Sequence, residues 1–159
     1  MMTTSNDDTH TLFDLFREIT MIAKFSSSEF QRVLGPELGE SEFAVLSHLV
    51  RLEDNKPIAP SKLAALFQLT RPSMTSIINN LSGKGFVEIT GSETGRRQKQ
   101  VTITPDGRKA YARGEAQAAP LLVDLAGLMD QKKLKKMLPD LKQLREVLDT
   151  RRNERDGLS

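Results

Sequence analysis

Residues 60–104 read PSKLAALFQLTRPSMTSIINNLSGKGFVEITGSETGRRQKQVTIT. Within them Met74, Ile77, Ile78 and Leu81 recur at i, i+3, i+4 and i+7, which is one apolar helical face. Arg71, Ser73, Thr75, Ser76, Asn79 and Asn80 fall elsewhere on that helix and make a face of short polar donors and acceptors. Thr70 suits the N-cap, and Pro72 suits a first turn, where its missing N–H costs nothing. Gly83 and Gly85 end the helix. Upstream, Leu63, Ala64, Leu66 and Phe67 make a short helix with Pro60 in its first turn. Only Gln68 and Leu69 separate it from the Thr70 cap, so the two helices must cross steeply, as in a helix-turn-helix.

After Gly85 the period drops from 3.6 to 2. Phe86–Thr90 and Gln100–Thr104 alternate apolar and polar, as half-buried strands do. Between them GSETGRRQK offers Gly91 and Gly95 for turning and Arg96, Arg97 and Lys99 for charge. The stretch therefore predicts a helix-turn-helix succeeded directly by a hairpin with a basic loop.

Charge matches this division. The net charge of +2 says little, but residues 1–59 carry five basic and ten acidic side chains, and residues 60–113 carry nine basic and three acidic. Positive charge is thus concentrated on the helix-turn-helix and hairpin, where a phosphate backbone would lie. At 159 residues the length prior is one domain. No run approaches the roughly 18 apolar residues of a membrane span. MMTTSNDDTH has no basic region leading into an apolar stretch, so no signal peptide is expected and the chain reads as cytoplasmic.

Outward from the centre, Leu12–Leu34 predicts one long amphipathic helix, interrupted in its stripe by Ser26–Ser28 and stopped by Gly35-Pro36. Residues 1–9 read as polar and mobile. Ser41 is the expected cap of a helix with Val45, Leu46, Leu49 and Val50 on its core face, and Asp54–Pro57 is a turn. Thr104 caps the helix after the hairpin, whose apolar face runs through Ala110, Leu121, Leu122, Leu125 and Leu128, with a kink expected at Pro120. Asp130 caps a last helix with Leu134, Met137, Leu138, Leu141, Leu144 and Leu148 at near-heptad spacing; Pro139 is expected to divide it, and RRNERDGLS to fray. The two ends either pack only on each other or pair with a second copy, two-fold dimers being the commonest homo-oligomer.

No catalytic constellation is legible. His10 lies in the polar N-terminus, and His48 reads as a half-buried structural side chain. Ser26–Ser28 has no nearby base or nucleophile elbow. Gly83-Lys84-Gly85 lacks the frame of a phosphate-binding P-loop. The absence of cysteine excludes disulfides, thiol redox sensing and Cys-based zinc sites, and acidic residues show no metal-loop spacing. No enzyme, cofactor or metal is expected.

The order of elements resembles winged helix-turn-helix regulators of the MarR type. The resemblance rests on Ser41–Leu46, Lys62-Leu63-Ala64, Ser73-Met74-Thr75, Leu81–Val87, Gly95-Arg96-Arg97 and Ile103–Gly107, and covers about residues 10–150. It implies a mainly α protein with a small β-hairpin wing: a winged helix-turn-helix at 38–107, flanked by dimerisation helices at 10–34 and 108–150. It implies a homodimer that binds double-stranded DNA and represses transcription. A dimer would place two recognition helices in successive major grooves about 34–36 Å apart. Arg71, Ser73, Thr75, Ser76, Asn79, Asn80, Arg96, Arg97 and Lys99 are the candidate DNA contacts. Arg96 and Arg97 either enter a narrow minor groove or form a solvated pair bonded to Glu93. The resemblance also implies a pocket for a small-molecule effector, with Phe13, Phe16, Arg17, Met21, Phe43 and His48 as candidate lining or, alternatively, as core packing. Departures are specific: Gly95 stands where the family usually has Asp, Ser76 and Asn80 where it often has Arg, and Gln68 where it has Gly. The DNA face is therefore less basic than usual, and the rival reading is a winged-helix module that binds protein instead.

Overall fold

The structure, a computed structural model, describes residues 6–52, 55–91 and 99–155. Among them the elements in order are α1 (Asn6–Leu34), α2 (Glu40–Val50), α3 (Pro60–Leu66), α4 (Arg71–Gly83), β1 (Val87–Thr90), β2 (Gln100–Ile103), α5 (Pro105–Leu128) and α6 (Gln131–Arg155). The chain divides into two compact units, one ending at Ala118 and one beginning at Ala119.

The core of the first unit is assembled from the faces that periodicity predicts. Met74, Ile78 and Leu81 of α4, Leu63 and Ala64 of α3, and Val45, Leu46 and Leu49 of α2 are all buried together. Val87, Val101 and Ile103 of the hairpin join them, and Ala110 of α5 closes the cluster. In the short α3 only Leu63 and Ala64 reach this core; Leu66 is exposed and Phe67 half-buried, because seven residues present just one narrow face. The strands pair antiparallel, with Val87 opposite Ile103 and Thr90 opposite Gln100. Ile58 adds an isolated bridge on the far side of β2: its N–H reaches the Val101 carbonyl at 3.0 Å, and the Val101 N–H reaches its carbonyl at 2.8 Å.

Turn chemistry at both ends of the helix-turn-helix is explicit. At the end of α3 the Leu69 N–H bonds the Ala64 carbonyl at 2.9 Å and the Gln68 N–H bonds that of Ala65 at 3.2 Å. At the end of α4 the Phe86 N–H bonds Leu81 and the Gly85 N–H bonds Ser82, both at 2.9 Å. Both are Schellman closures, which require a left-handed residue after the helix. Gly85 supplies it at φ +74° and Gln68 at φ +56°. Thr104 caps α5 by accepting from the Gly107 N–H at 3.0 Å, while its hydroxyl donates to the Gly85 carbonyl at 2.7 Å.

Four boundaries differ from expectation. Helix α1 begins at Asn6, within the stretch read as mobile, because Asp7 and Asp8 in its first turn favour the positive end of the helix dipole. Helix α2 is capped at Gly39 rather than Ser41: the Glu42 carboxylate reaches back to the Gly39 N–H at 2.9 Å and leaves Ser41 inside the first turn. Pro139 does not divide α6, which runs unbroken from Gln131; one proline removes one backbone bond and leaves the rest of the ladder. The same helix continues to Arg155, through most of the tail expected to fray. Asp130 caps it as expected, accepting from the Lys132 N–H at 2.9 Å. In the second unit the apolar side chains Leu122, Leu125, Leu128, Met137, Leu138, Leu141 and Leu148 are exposed.

Candidate nucleic-acid interface

Helix α4 commits Met74, Ile78 and Leu81 to the core, while Ile77, expected on the same face, is only half-buried at its edge. Met74 and Leu81 are 0% exposed and Ile78 2%, which leaves its remaining surface to Arg71, Ser73, Thr75, Ser76, Asn79 and Asn80, every one of them exposed. Its first turn holds Pro72 and Arg71 and no acidic residue, so the free N–H groups and positive dipole end meet solvent without an anion of their own. The Thr70 side chain accepts from the Ser73 N–H at 3.2 Å, and the two hydroxyls lie 2.8 Å apart. Ser73 is therefore part of the cap as well as of the polar face. Thr75 and Asn79 line a small cleft together with Pro60, Ile78, Ile89 and Lys99. Helix α4 and Lys99, the residue before β2, thus share one surface depression. Arg96 and Arg97, with Gly95, lie outside the described residues.

The residues named for an effector pocket all lie on α1 and α2. Phe13 and Met21 are exposed at 70% and 44%. Phe16 is half-buried, and Arg17 is held by acids of its own helix, Asp14 at 3.3 Å and Glu18 at 3.4 Å. Phe43 stacks on Tyr111 of α5 with ring centres 5.2 Å apart. The His48 ring meets Phe67 edge-on at 6.1 Å, and its Nε2 is buried without a hydrogen-bond partner among the described residues. Phe43 and His48 are thus engaged in packing, and Phe13 and Met21 face solvent.

Several residues that shape this region escape a reading by motif. Asn55, at φ +55°, donates to the Ile103 carbonyl at 3.2 Å and accepts from Arg108 at 3.1 Å, fixing the segment before α3 to the base of the wing. Beside it, Leu52, Lys56, Pro57, Ile58, Ala59, Lys62 and Gln100 line a surface cleft of about 390 Å³. Lys84, the C-cap of α4, forms an ion pair with the largely buried Glu42 at 2.6 Å. Of these, only the cap that Glu42 gives Gly39 leaves a trace in the sequence, as the spacing of a helix-capping pair.

Chemically, a helix with an exposed hydroxyl and carboxamide face, a cationic neighbour and no acid in its first turn suits base edges and phosphates. Among the described residues no group of acidic and histidine side chains is arranged to hold a metal, and no helix is long and apolar enough to cross a membrane.

Comparison with known proteins agrees with this geometry. Residues 38–98 match the model of the MarR family. The HTH-type transcriptional regulator PapX of Escherichia coli is 29% identical over 98 residues, which are 62% of this chain and 58% of that protein, so the match spans little more than half of the relative's length. The transcriptional regulator BldR from Sulfolobus solfataricus superposes with a TM-score of 0.75 at 22% identity, over 89% of this chain and 98% of that one. A mutant MarR from Escherichia coli, crystallised with operator DNA, superposes with a TM-score of 0.70 at 19% identity, over 84% of this chain and 95% of its own. At such identities the superpositions carry the fold alone, and the MarR family model matches the stretch from residue 38 to residue 98, which holds the helix-turn-helix and the first wing strand.

Proposed function

We propose that the protein is a homodimeric transcriptional repressor that reads a pseudo-palindromic double-stranded DNA site. The observation that carries this reading is the exposed row of Thr75, Ser76, Asn79 and Asn80 opposite the buried Met74, Ile78 and Leu81 of α4, with Lys99 beside it. Asn can pair in bidentate fashion with adenine, and short hydroxyls reach either bases or phosphates. Arg71 and the α4 N-terminus supply phosphate contacts, and Arg96 and Arg97 supply charge from the wing. Support for the dimer comes from exposed apolar side chains on α1 (Leu12, Phe13, Leu15, Ile22, Phe25) and on α5 and α6. The protein acts in the cytoplasm, and a small molecule bound against the α1 and α2 aromatics releases the DNA.

Selection of bound duplexes from a random pool tests the reading directly. A DNA reader returns a two-fold symmetric consensus, and its affinity falls steeply with salt as phosphate counterions are released. The rival, a winged helix that docks on protein, is favoured by one observation: between Pro72 and Gly83 the exposed face of α4 carries no basic residue. That rival predicts no consensus and a shallow salt dependence.

A further inference from the structure

Besides its buried stripe, helix α4 is tied to the rest of its unit by an ion pair at one corner. Lys84 caps the C-terminus of α4. Its Nζ donates to Glu42 Oε2 at 2.6 Å and to the Glu37 carbonyl at 2.9 Å. The same Glu42 oxygen accepts from the Gly39 N–H, so one carboxylate both starts α2 and holds the end of α4. The Glu37 carboxylate in turn accepts two bonds from Arg113 of α5, at 2.6 Å and 3.3 Å. Ser27 of α1 donates to Glu40 at the same corner. Residues 37–42 therefore gather α1, α4 and α5 onto the first turn of α2.

Burial makes this corner more than a surface ion pair. The Glu42 side chain is 10% exposed and that of Lys84 35%. A carboxylate so enclosed must keep its partner, because an unpaired buried charge is costly. Among the described residues, α4 otherwise meets the core through the apolar side chains Met74, Ile78 and Leu81, while the bonds that cap and close it join only neighbours in sequence. Directional charge-assisted bonds at one end of the helix define its angle instead.

From this we infer that Lys84 and Glu42 are positioning residues for DNA reading: they set the angle at which α4 presents Thr75 and Asn79, without touching DNA. The inference rests on the DNA-binding role proposed above. It separates Lys84 from Arg71, Lys99, Arg96 and Arg97, the basic residues to which the proposed function gives the phosphate contacts.

The test uses the full-length protein and three variants, Lys84→Met, Lys84→Arg and Glu42→Gln. Glu42→Gln keeps a carbonyl oxygen for the Gly39 N–H and removes only the charge facing Lys84. Affinities are measured for the selected duplex and for a scrambled one at several salt concentrations, below the melting temperature of each variant. The expected result for Lys84→Met and Glu42→Gln is about tenfold weaker binding of the selected duplex, the scale of couplings carried through packed networks. Binding of the scrambled duplex and the salt slope should stay as in the parent, and Lys84→Arg should restore selectivity. Three results overturn the inference. A salt slope lower by about one contact in Lys84→Met makes Lys84 a phosphate ligand. A lowered melting temperature with unchanged selectivity makes the pair a stability element only. Failure of Lys84→Arg to recover selectivity removes the ion pair as the cause. If the parent binds both duplexes alike, the DNA-reading role itself falls, a result distinct from any change among variants.

Discussion

Gly107 is the position where a single methyl group tests the packing of the whole winged helix. It lies in the first turn of α5, where an added Cβ would sit 2.0 Å from the Phe86 carbonyl oxygen, 2.9 Å from its carbon and 2.9 Å from Ile103 Cγ1. An ordinary C···O contact is about 3.3–3.6 Å, so the helix and the Gly85-Phe86 turn would have to part by more than an ångström. That oxygen accepts the Thr104 N–H at 3.0 Å, a bond worth about 1 kcal/mol net. Forced overpacking adds about 1–3 kcal/mol, and the helical preference of Ala over Gly returns about 0.5–1 kcal/mol. Gly107→Ala should therefore destabilise by about 2–3 kcal/mol, a melting temperature lower by about 5–10 °C for a chain of this size. Gly127→Ala in the same helix is the control, because nothing lies within 4 Å of its Cβ position; it should gain a few tenths of a kcal/mol, up to about 1. Thermal and urea unfolding monitored by circular dichroism, at one fixed protein concentration, reads both. The two substitutions are chemically identical, so opposite signs isolate the contact. If Gly107→Ala is as stable as the parent or more so, α5 does not rest on the Phe86 turn as described.

Gln68→Gly should stabilise by about 0.5–1 kcal/mol, since Gln68 sits at φ +56° and a left-handed non-glycine costs about 1–2 kcal/mol, less the extra chain entropy of glycine; an unchanged or lowered urea midpoint would count against that turn. Thr75→Ala should cost about 1–3 kcal/mol at particular base pairs and leave others alone, whereas Arg97→Ala should weaken all sequences and lower the salt slope by about one contact; competition against single-base variants at two salt concentrations reads both, and the reverse pattern means the roles are exchanged. Thr75 is the better probe than Ser73, whose hydroxyl also belongs to the Thr70 cap. Sedimentation at micromolar concentration should give twice 17.7 kDa, and a monomer that still binds DNA tightly would remove the dimer. Mild peroxide should not release DNA in a thiol-reversible way, because the chain has no cysteine.

Whether a residue's role is legible in the sequence depends on whether that role is local. Met74, Ile78 and Leu81 announce their burial by spacing, and Thr70 and Thr104 announce their caps by the proline-led first turns directly after them. The Asn6 start of α1 is harder to see, because a polar stretch resembles an unstructured one, although acids belong in a first helical turn. Pro139 misleads in the opposite direction, since a proline inside a long helix costs one bond and not the helix. The Glu42–Lys84 tie joins residues 42 positions apart, and no periodicity reports a contact of that range. The candidate DNA residues are legible as a face, because a helix with one apolar stripe must expose the rest. What that face reads is not legible, for reasons found in how α4 is held.

Recognition helix α4 owes its place to residues that do not face outward. Its stripe is buried, its start is set by Thr70, its end by the Gly85 closure, and its angle by the corner at Glu42. None of these constraints refers to Thr75, Ser76, Asn79 or Asn80. Exposed polar substitutions away from caps and ion pairs usually change stability by less than about 0.5 kcal/mol. The four positions are therefore nearly free of the fold, and a different set of bases can be read by changing them without rebuilding the core. Ser76 and Asn80 bring no charge to this face. A face without cations attracts phosphates less in a sequence-independent way. On the proposed DNA-binding reading, the electrostatic share of binding falls to Arg71, Lys99, Arg96 and Arg97. A chain built this way should depend on its wing more steeply than on any single side chain of its recognition helix when salt is raised, and on Thr75 and Asn79 when the sequence is changed at fixed salt.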